Sequence, residues 1–184
     1  MFSTLPIDYQ TFLTWTWSDF APYYADLHAR PLKAENVAAW LSDWTRVGKT
    51  VAEMYARLHL ASTLNTADAE AERRYLTFLS DVQPRVEEAE QQLKQKLLDS
   101  GLQPSGFEMP LRNLRAEADL FREANLPLIL QGRKLGQQYN KIVGAQSVQW
   151  QGQELTLQQL RPIGLSADRS IREQVWRVSS ERWL

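Results

Sequence analysis

Val37, Trp40, Trp44, Val47, Val51, Met54 and Leu58 recur in alternating steps of three and four residues. That spacing lines them along one face of an α-helix and along no face of a strand. The segment that carries them, ENVAAWLSDWTRVGKTVAEMYARLHLAS, contains no proline and a single glycine, Gly48. A helix of about 28 residues is roughly 40 Å long at 1.5 Å per residue, a length that suits a hairpin of long helices better than a compact bundle. The other seven of the eight glycines fall at or after position 101. Long stretches of the first hundred residues are therefore free of a glycine break.

A partner helix follows in TADAEAERRYLTFLSDVQPRVEEAEQQLKQKLLDS. Its stripe is Tyr75, Leu79, Val82, Val86, Leu93 and Leu97. Pro84 lies inside it and predicts a kink or interruption, because proline removes one hydrogen bond and clashes with the preceding turn. The connection NTAD is short, so the two helices, near residues 35–62 and 67–99, are expected to lie antiparallel. Before them, TWSDFAPYYADLHAR reads as a helix capped by Ser18 or Asp19, with Pro22 in its first turn and Pro31 at its end.

After them, SGLQPSGFEMP reads as a loop. A helix is expected from about Leu111 to Ala124, then a break at Asn125 and Pro127, with Asn125 capping a further helix to about Ile142. SVQWQGQELTL has a different rhythm. Val148 and Trp150 share one face of an extended strand, Leu155 and Leu157 another, and Gly152 supplies the turn of a β-hairpin near residues 147–157. The last segment, SADRSIREQVWRVSSERWL, reads as a helix capped by Ser166 or Asp168. Arg169, Glu173, Arg177 and Glu181 alternate in sign at a spacing of four, with Glu173 and Arg177 in the better orientation. Ile171, Val175 and Val178 form one apolar stripe, and Trp176 and Trp183 a second. A helix with two apolar faces needs two neighbours. The expected fold is mainly α, one helical lobe over residues 1–184, with one small β-hairpin.

The chain has 184 residues, enough for one sizeable core, and a net charge of −1 that argues against a general nucleic-acid or anionic-membrane binder. It has no cysteine, which excludes disulfides and thiolate chemistry. The N-terminus lacks the basic and long apolar regions of a secretory signal. The longest apolar run, about Leu126 to Leu130, is too short to span a bilayer. A cytoplasmic location is the expectation.

Catalytic chemistry finds little to stand on. His28 and His59 are each isolated, with no H-E-x-x-H pattern around them, and read as helix-surface or half-buried residues. RVGKT resembles the end of a phosphate-binding loop, but Asp43 stands where its first glycine belongs and the segment lies within a helix. Trp40 and Trp44 read as packing residues on the long stripe rather than as stacking platforms; Trp15, Trp17 and Trp150 are less determined. The carboxylates sit mostly in alternating runs such as RVEEAEQQLKQK, the pattern of a solvated helix face. No catalytic, cofactor-binding or metal-binding residue is assigned.

The order of these features resembles a known family. WTWSDFAPYYADLHARPL, AAWLSDW and TLNTADAEAERRYLTFLSDVQP are similar to the opening of the oligoendopeptidase F family of zinc metallopeptidases, relatives of thimet oligopeptidase. LFREANLPLILQGRKLGQQYNKIVGAQSVQWQGQELTLQQL resembles that family's helix, Asn-x-Pro break, Tyr-containing helix and hairpin. SADRSIREQVWRVSSERW resembles its D-R-x-x-R-E-x-x-W segment. The resemblance implies a non-catalytic N-terminal lobe that packs with a catalytic region around a channel and admits short oligopeptides. The zinc and the H-E-x-x-H helix are then expected in a catalytic domain after residue 184, with that domain and the oligopeptide substrate as partners. Self-association through the last helix, by Trp176, Trp183 and Leu184, is expected if that domain normally covers them. The alternative is a free-standing helical interaction module without enzyme activity.

Overall fold

The computed structural model describes Phe2 and residues 5–183. A short helix α1, Tyr9–Phe12, precedes α2, Trp17–Ala29. The long stripe forms α3, Val37–Leu64, without interruption. Every member of that stripe, from Val37 to Leu58, is buried. After the Asn65–Asp68 connection the chain turns back through α4, Ala69–Thr77, a π-helical turn Phe78–Val82 and α5, Gln83–Asp99. Tyr75 meets Tyr55 and Glu90 meets Trp44, so the two rods run antiparallel. The second stripe, Tyr75 to Leu97, is buried throughout.

Proline explains the π turn. The Gln83 N–H donates to the Phe78 carbonyl, five residues back, just before Pro84, which has no N–H to continue the α ladder. The rod is thus interrupted as expected, yet its apolar face carries on from Leu79 and Val82 to Val86. The helix α2 lies across both rods. Trp40 Nε1 donates to the Leu27 carbonyl at 2.8 Å. Lys96 Nζ donates to the carbonyls of Leu27, His28 and Arg30, placing a cation at the end of α2, where orphan carbonyls carry partial negative charge. Arg30 in turn pairs with Asp26 and Asp43.

Two helices flank this pack. The first, α6, Glu108–Leu120, is tied to α5 by Lys94 and Glu117 at 2.6 Å. The second, α7, Leu126–Gly144, is tied to the rods by Arg133–Glu87 at 3.2 Å and Lys141–Glu72 at 2.8 Å. The chain then forms an antiparallel hairpin, β1 Ser147–Trp150 and β2 Gln153–Thr156, with Val148 opposite Leu155. Gln151 and Gly152 both have positive φ, at 50° and 82°, the left-handed pair that a two-residue hairpin turn requires. A one-turn helix α8, Leu157–Leu160, leads to α9, Arg169–Trp183. Trp150, Leu160 and Val175 form a small core of their own, flanked by Ile171 and Val178.

Several local expectations are corrected. The cap of α2 is Thr16 and not Ser18 or Asp19; Asp19 serves at the third helical position, its carboxylate accepting from the Thr16 N–H at 2.7 Å, so Pro22 falls in the second turn. The α6 helix starts at Glu108 rather than Leu111, because Pro110 is accommodated within a first turn, where its missing N–H costs nothing, and it ends at Leu120 rather than Ala124. Asn125 occupies the cap position of α7 but its side chain makes no capping bond. Leu157 is the first residue of α8 and not part of a strand, because Thr156 and Gln159 form a capping box there. At α9, Asp168 takes the cap by accepting from the Ser170 N–H at 2.8 Å, which holds its carboxyl below the usual range. Arg177 pairs with Glu173 on that helix as the spacing required. Trp176 and Trp183 are exposed at 67% and 56%; Leu184 lies outside the described residues.

Candidate functional site

The most distinctive polar group is one that charge patterning hid. Glu90 sits in the run RVEEAEQQLKQK, whose alternation suggests a solvated face. Its carboxylate instead turns toward the seam of α2, α3 and α5. Its Oε1 accepts from the Tyr24 hydroxyl at 2.8 Å and its Oε2 from Trp44 Nε1 at 2.6 Å. Burial pushes the Glu90 carboxyl above its ordinary range, while the two donors and the Lys94 charge pull the other way. Burial and the Glu90 carboxylate both push the Tyr24 phenol up. The phenol and indole are thus neutral donors fixed on one acceptor.

Three clefts meet at this carboxylate. One, of about 420 Å³, runs between α3, α5 and α6 and is floored by Trp44, Leu97 and Leu111. A second, of about 370 Å³, lies between α5 and the α6–α7 break at Phe121 and Arg122. The third, of about 480 Å³, is bounded by Tyr55, Val86 and Arg133. Glu90 lines all three. The arrangement can accept a hydrogen bond or a proton at one fixed point, with Lys94 and Arg133 on the walls of the neighbouring clefts. The signal that could have found it is positional. Glu90 stands four residues after Val86 and three before Leu93, so it lies on the buried stripe itself.

The other residues weighed in the sequence fall apart spatially. His28 is exposed on α2. His59, on α3, stacks parallel to Tyr55 with centroids 5.9 Å apart and stands 5.2 Å from the ring of Tyr75. Among the described residues, no three His, Cys, Asp or Glu side chains gather where they could hold a metal ion. These residues do not fit a zinc site. RVGKT lies inside α3, where its N–H groups are committed to the helix. A Cβ on Gly48 would stand an ordinary 4.0 Å from Glu90 Oε1. Trp40 and Trp44 pack edge to face at 5.1 Å. Trp15 stacks on Tyr23 and Trp17 on Tyr24, and Trp150 is buried in the small C-terminal core. No helix is long and apolar enough to cross a membrane among the described residues.

The fold and its seam define a helical lobe built on an antiparallel pair of long rods. Residues 10–105 match the family model described as the Peptidase M3 N-terminal domain. The match spans just over half of the chain, and the chain belongs to that family. It takes in α2, α3, the π turn and α5, the elements whose apolar stripes are buried. No curated protein and no solved structure matches the chain.

Proposed function

We propose that this chain is the substrate-enclosing, non-catalytic N-terminal lobe of a cytoplasmic zinc metalloendopeptidase, of the oligoendopeptidase F kind, that hydrolyses short oligopeptides. The observation that carries the reading is the family match over residues 10–105. Two features of the structure support it. The long rods make a stiff wall, which is what a lobe closing over a substrate needs in order to exclude water. Two helices also present apolar side chains that this chain leaves uncovered: Leu128, Leu135, Tyr139 and Ile142 on α7, and Trp176 and Trp183 on α9. A catalytic domain following residue 184 is the natural cover for them, and zinc, its ligands and the water-activating glutamate belong to that domain.

The test begins with the reading frame after Leu184. A downstream H-E-x-x-H helix supports the reading. Expressing the chain with that segment must then give chelator-sensitive cleavage of a quenched fluorogenic peptide, and the 184-residue chain alone must give none. A stop codon there moves the assignment to a free-standing helical interaction module.

A further inference from the structure

A cleft that contains no residue of α6 has a chemistry of its own. It measures about 460 Å³ and lies between the Leu13–Ser18 segment and the face of α4, the π turn and α5. Three arginines line it, Arg73, Arg74 and Arg85, against one carboxylate, Asp81. Arg73 is taken by Glu70 in a two-pronged pair. Arg74 donates to the Leu13 carbonyl at 3.3 Å, and neither it nor Arg85 has an ion-pair partner among the described residues. Asp81 accepts from the Ser80 hydroxyl at 2.7 Å. Glu70 also feels the Arg74 charge, so three arginines face two carboxylates here, a local positive surplus in a chain of net charge −1.

The opposite wall is aromatic and fixed. Trp15 is held by Phe20 edge-on at 5.0 Å and by Tyr23 face-on, and Trp17 by Tyr24 at 5.7 Å. Thr14, Thr16 and Thr77 add hydroxyls along the cleft. Arg74, on α4, and Arg85, on α5, line the same opening on either side of the π turn; such turns are frequent at functional sites.

We propose that this cleft binds an anionic oxyacid group, carboxylate or phosphate, joined to an apolar body, with Arg74 and Arg85 taking the anion and the Trp15–Trp17 wall the apolar part. Guanidinium is the side chain that pairs such oxyanions in a fork. The volume is within the range of small-ligand pockets, roughly 300–1,000 Å³. The site is separate from the Glu90 seam and does not depend on the peptidase reading.

The experiment titrates the full chain with N-acetyl-Phe-Glu, with its uncharged counterpart N-acetyl-Phe-Gln-amide, and with phenyl phosphate, following the indole N–H signals of Trp15 and Trp17 by ¹H–¹⁵N NMR. The acidic peptide or phenyl phosphate shifts both signals, the tighter of the two names the source of the anion, and the amide does not. Arg74→Gln with Arg85→Gln weakens that binding by about tenfold or more, and Arg85→Gln alone weakens it by less. Arg112→Gln with Arg115→Gln, exposed on α6, leaves it unchanged. Circular dichroism confirms that each variant is folded. The proposal is overturned if the amide binds as tightly, if the α6 pair matters as much as the cleft pair, or if neither anion moves the indoles at about 10 mM.

Discussion

The two ends of this chain are stabilised in different ways. The region from Phe2 to Leu130 is organised around one continuous core in which both long stripes, α2 and the start of α6 take part. The hairpin, α8 and α9 share a separate core whose buried members are Trp150, Leu160 and Val175. Both follow the same local rules of stripes, caps and turn residues. They differ in how much apolar surface each element has available to bury, and burial is the dominant favourable term in folding. A long amphipathic rod finds a partner along its whole length, whereas α9, with two apolar stripes, finds one for Val175 and none for Trp176. Self-sufficiency is therefore a regional property, and the family match lies within the self-sufficient region.

The strongest way to break this comparison is to make the same cavity in each region. Leu79 and Leu160 are both fully buried. Truncation of a buried leucine to alanine costs about 2–5 kcal/mol. Leu79→Ala, within the π turn, is expected to lower the main thermal transition and speed hydrogen exchange across α2, α3 and α5 together. Leu160→Ala is expected to melt the hairpin and α9 locally, moving the main transition by less than about 0.5 kcal/mol. Equal loss of protection throughout the chain after Leu160→Ala would show that the two cores fold as one.

Glu90 tests the inside of the larger core. Glu90→Ala leaves the Tyr24 hydroxyl and the Trp44 N–H without an acceptor, at a cost of about 1–3 kcal/mol for each buried group. Glu90→Gln keeps an acceptor and removes the titration. Burial raises the Glu90 pKa in the folded state, so the folded chain binds that proton more tightly than the unfolded chain does. The group's stability contribution is full below its unfolded pKa and is lost as pH rises through the folded one. The stability of Glu90→Gln relative to the parent should therefore improve from pH 4 upward, as measured by urea unfolding at a series of pH values. A difference that runs the other way would mean that Tyr24 and Trp44 stabilise the carboxylate more than burial disfavours it.

What was legible in the sequence divides along the same physical line. The rods were readable because seven or so apolar positions agreed on one period, and the interruption near Pro84 because proline acts locally. Gly152 marked the hairpin because its turn needs positive φ. Glu90 was misread because alternating charge describes the neighbours of a residue and not its own face; its place between Val86 and Leu93 was the better guide. The cap of α2 shifted two or three residues, from Ser18 or Asp19 to Thr16, because the Asp19 carboxylate reaches back to the Thr16 N–H from the third helical position. The Arg74–Arg85 cleft was legible only in part. Arg74 and Arg85 stand eleven residues apart, about three helical turns, and so share a face, but the segment 13–18 that closes the cleft over them comes from far earlier in the chain, and no spacing rule encodes that contact.

The junction between the two regions offers a smaller effect. At Gly144, the last residue of α7, a Cβ would stand 2.9 Å from both Cγ2 and Oγ1 of Thr66. Thr66 lies in the connection between α3 and α4 and is β-branched, so it has little room to rotate away. Gly144→Ala gains up to about 1 kcal/mol in helix propensity and loses about 1–3 kcal/mol to overpacking. A net loss of about 1–2 kcal/mol is expected, and Gly144→Ala combined with Thr66→Ser or Thr66→Ala should recover it. Full stability in the single variant would mean that α7 slides past the connection without resistance, and would loosen the coupling between the two regions.

The smallest effect on stability, and the most informative for function, belongs to Trp176 and Trp183. Both are exposed on α9, away from the Ile171, Val175 and Val178 stripe that packs on the hairpin. Their replacement removes no buried contact, so Trp176→Ser with Trp183→Ser should change unfolding free energy by no more than about 0.5 kcal/mol. Covering one such side chain is worth roughly 1.5–3 kcal/mol, and the two lie seven residues apart on one helix, with α7 contributing a further exposed stripe from Leu128 to Ile142. An uncovered surface of this kind tends to recruit a partner. The 184-residue chain is therefore expected to self-associate with rising concentration, and the double serine variant to sediment as a monomer with an unchanged helical spectrum. If both proteins sediment alike as monomers, the tryptophans are not adhesive by themselves, and any covering partner has to be sought along α7.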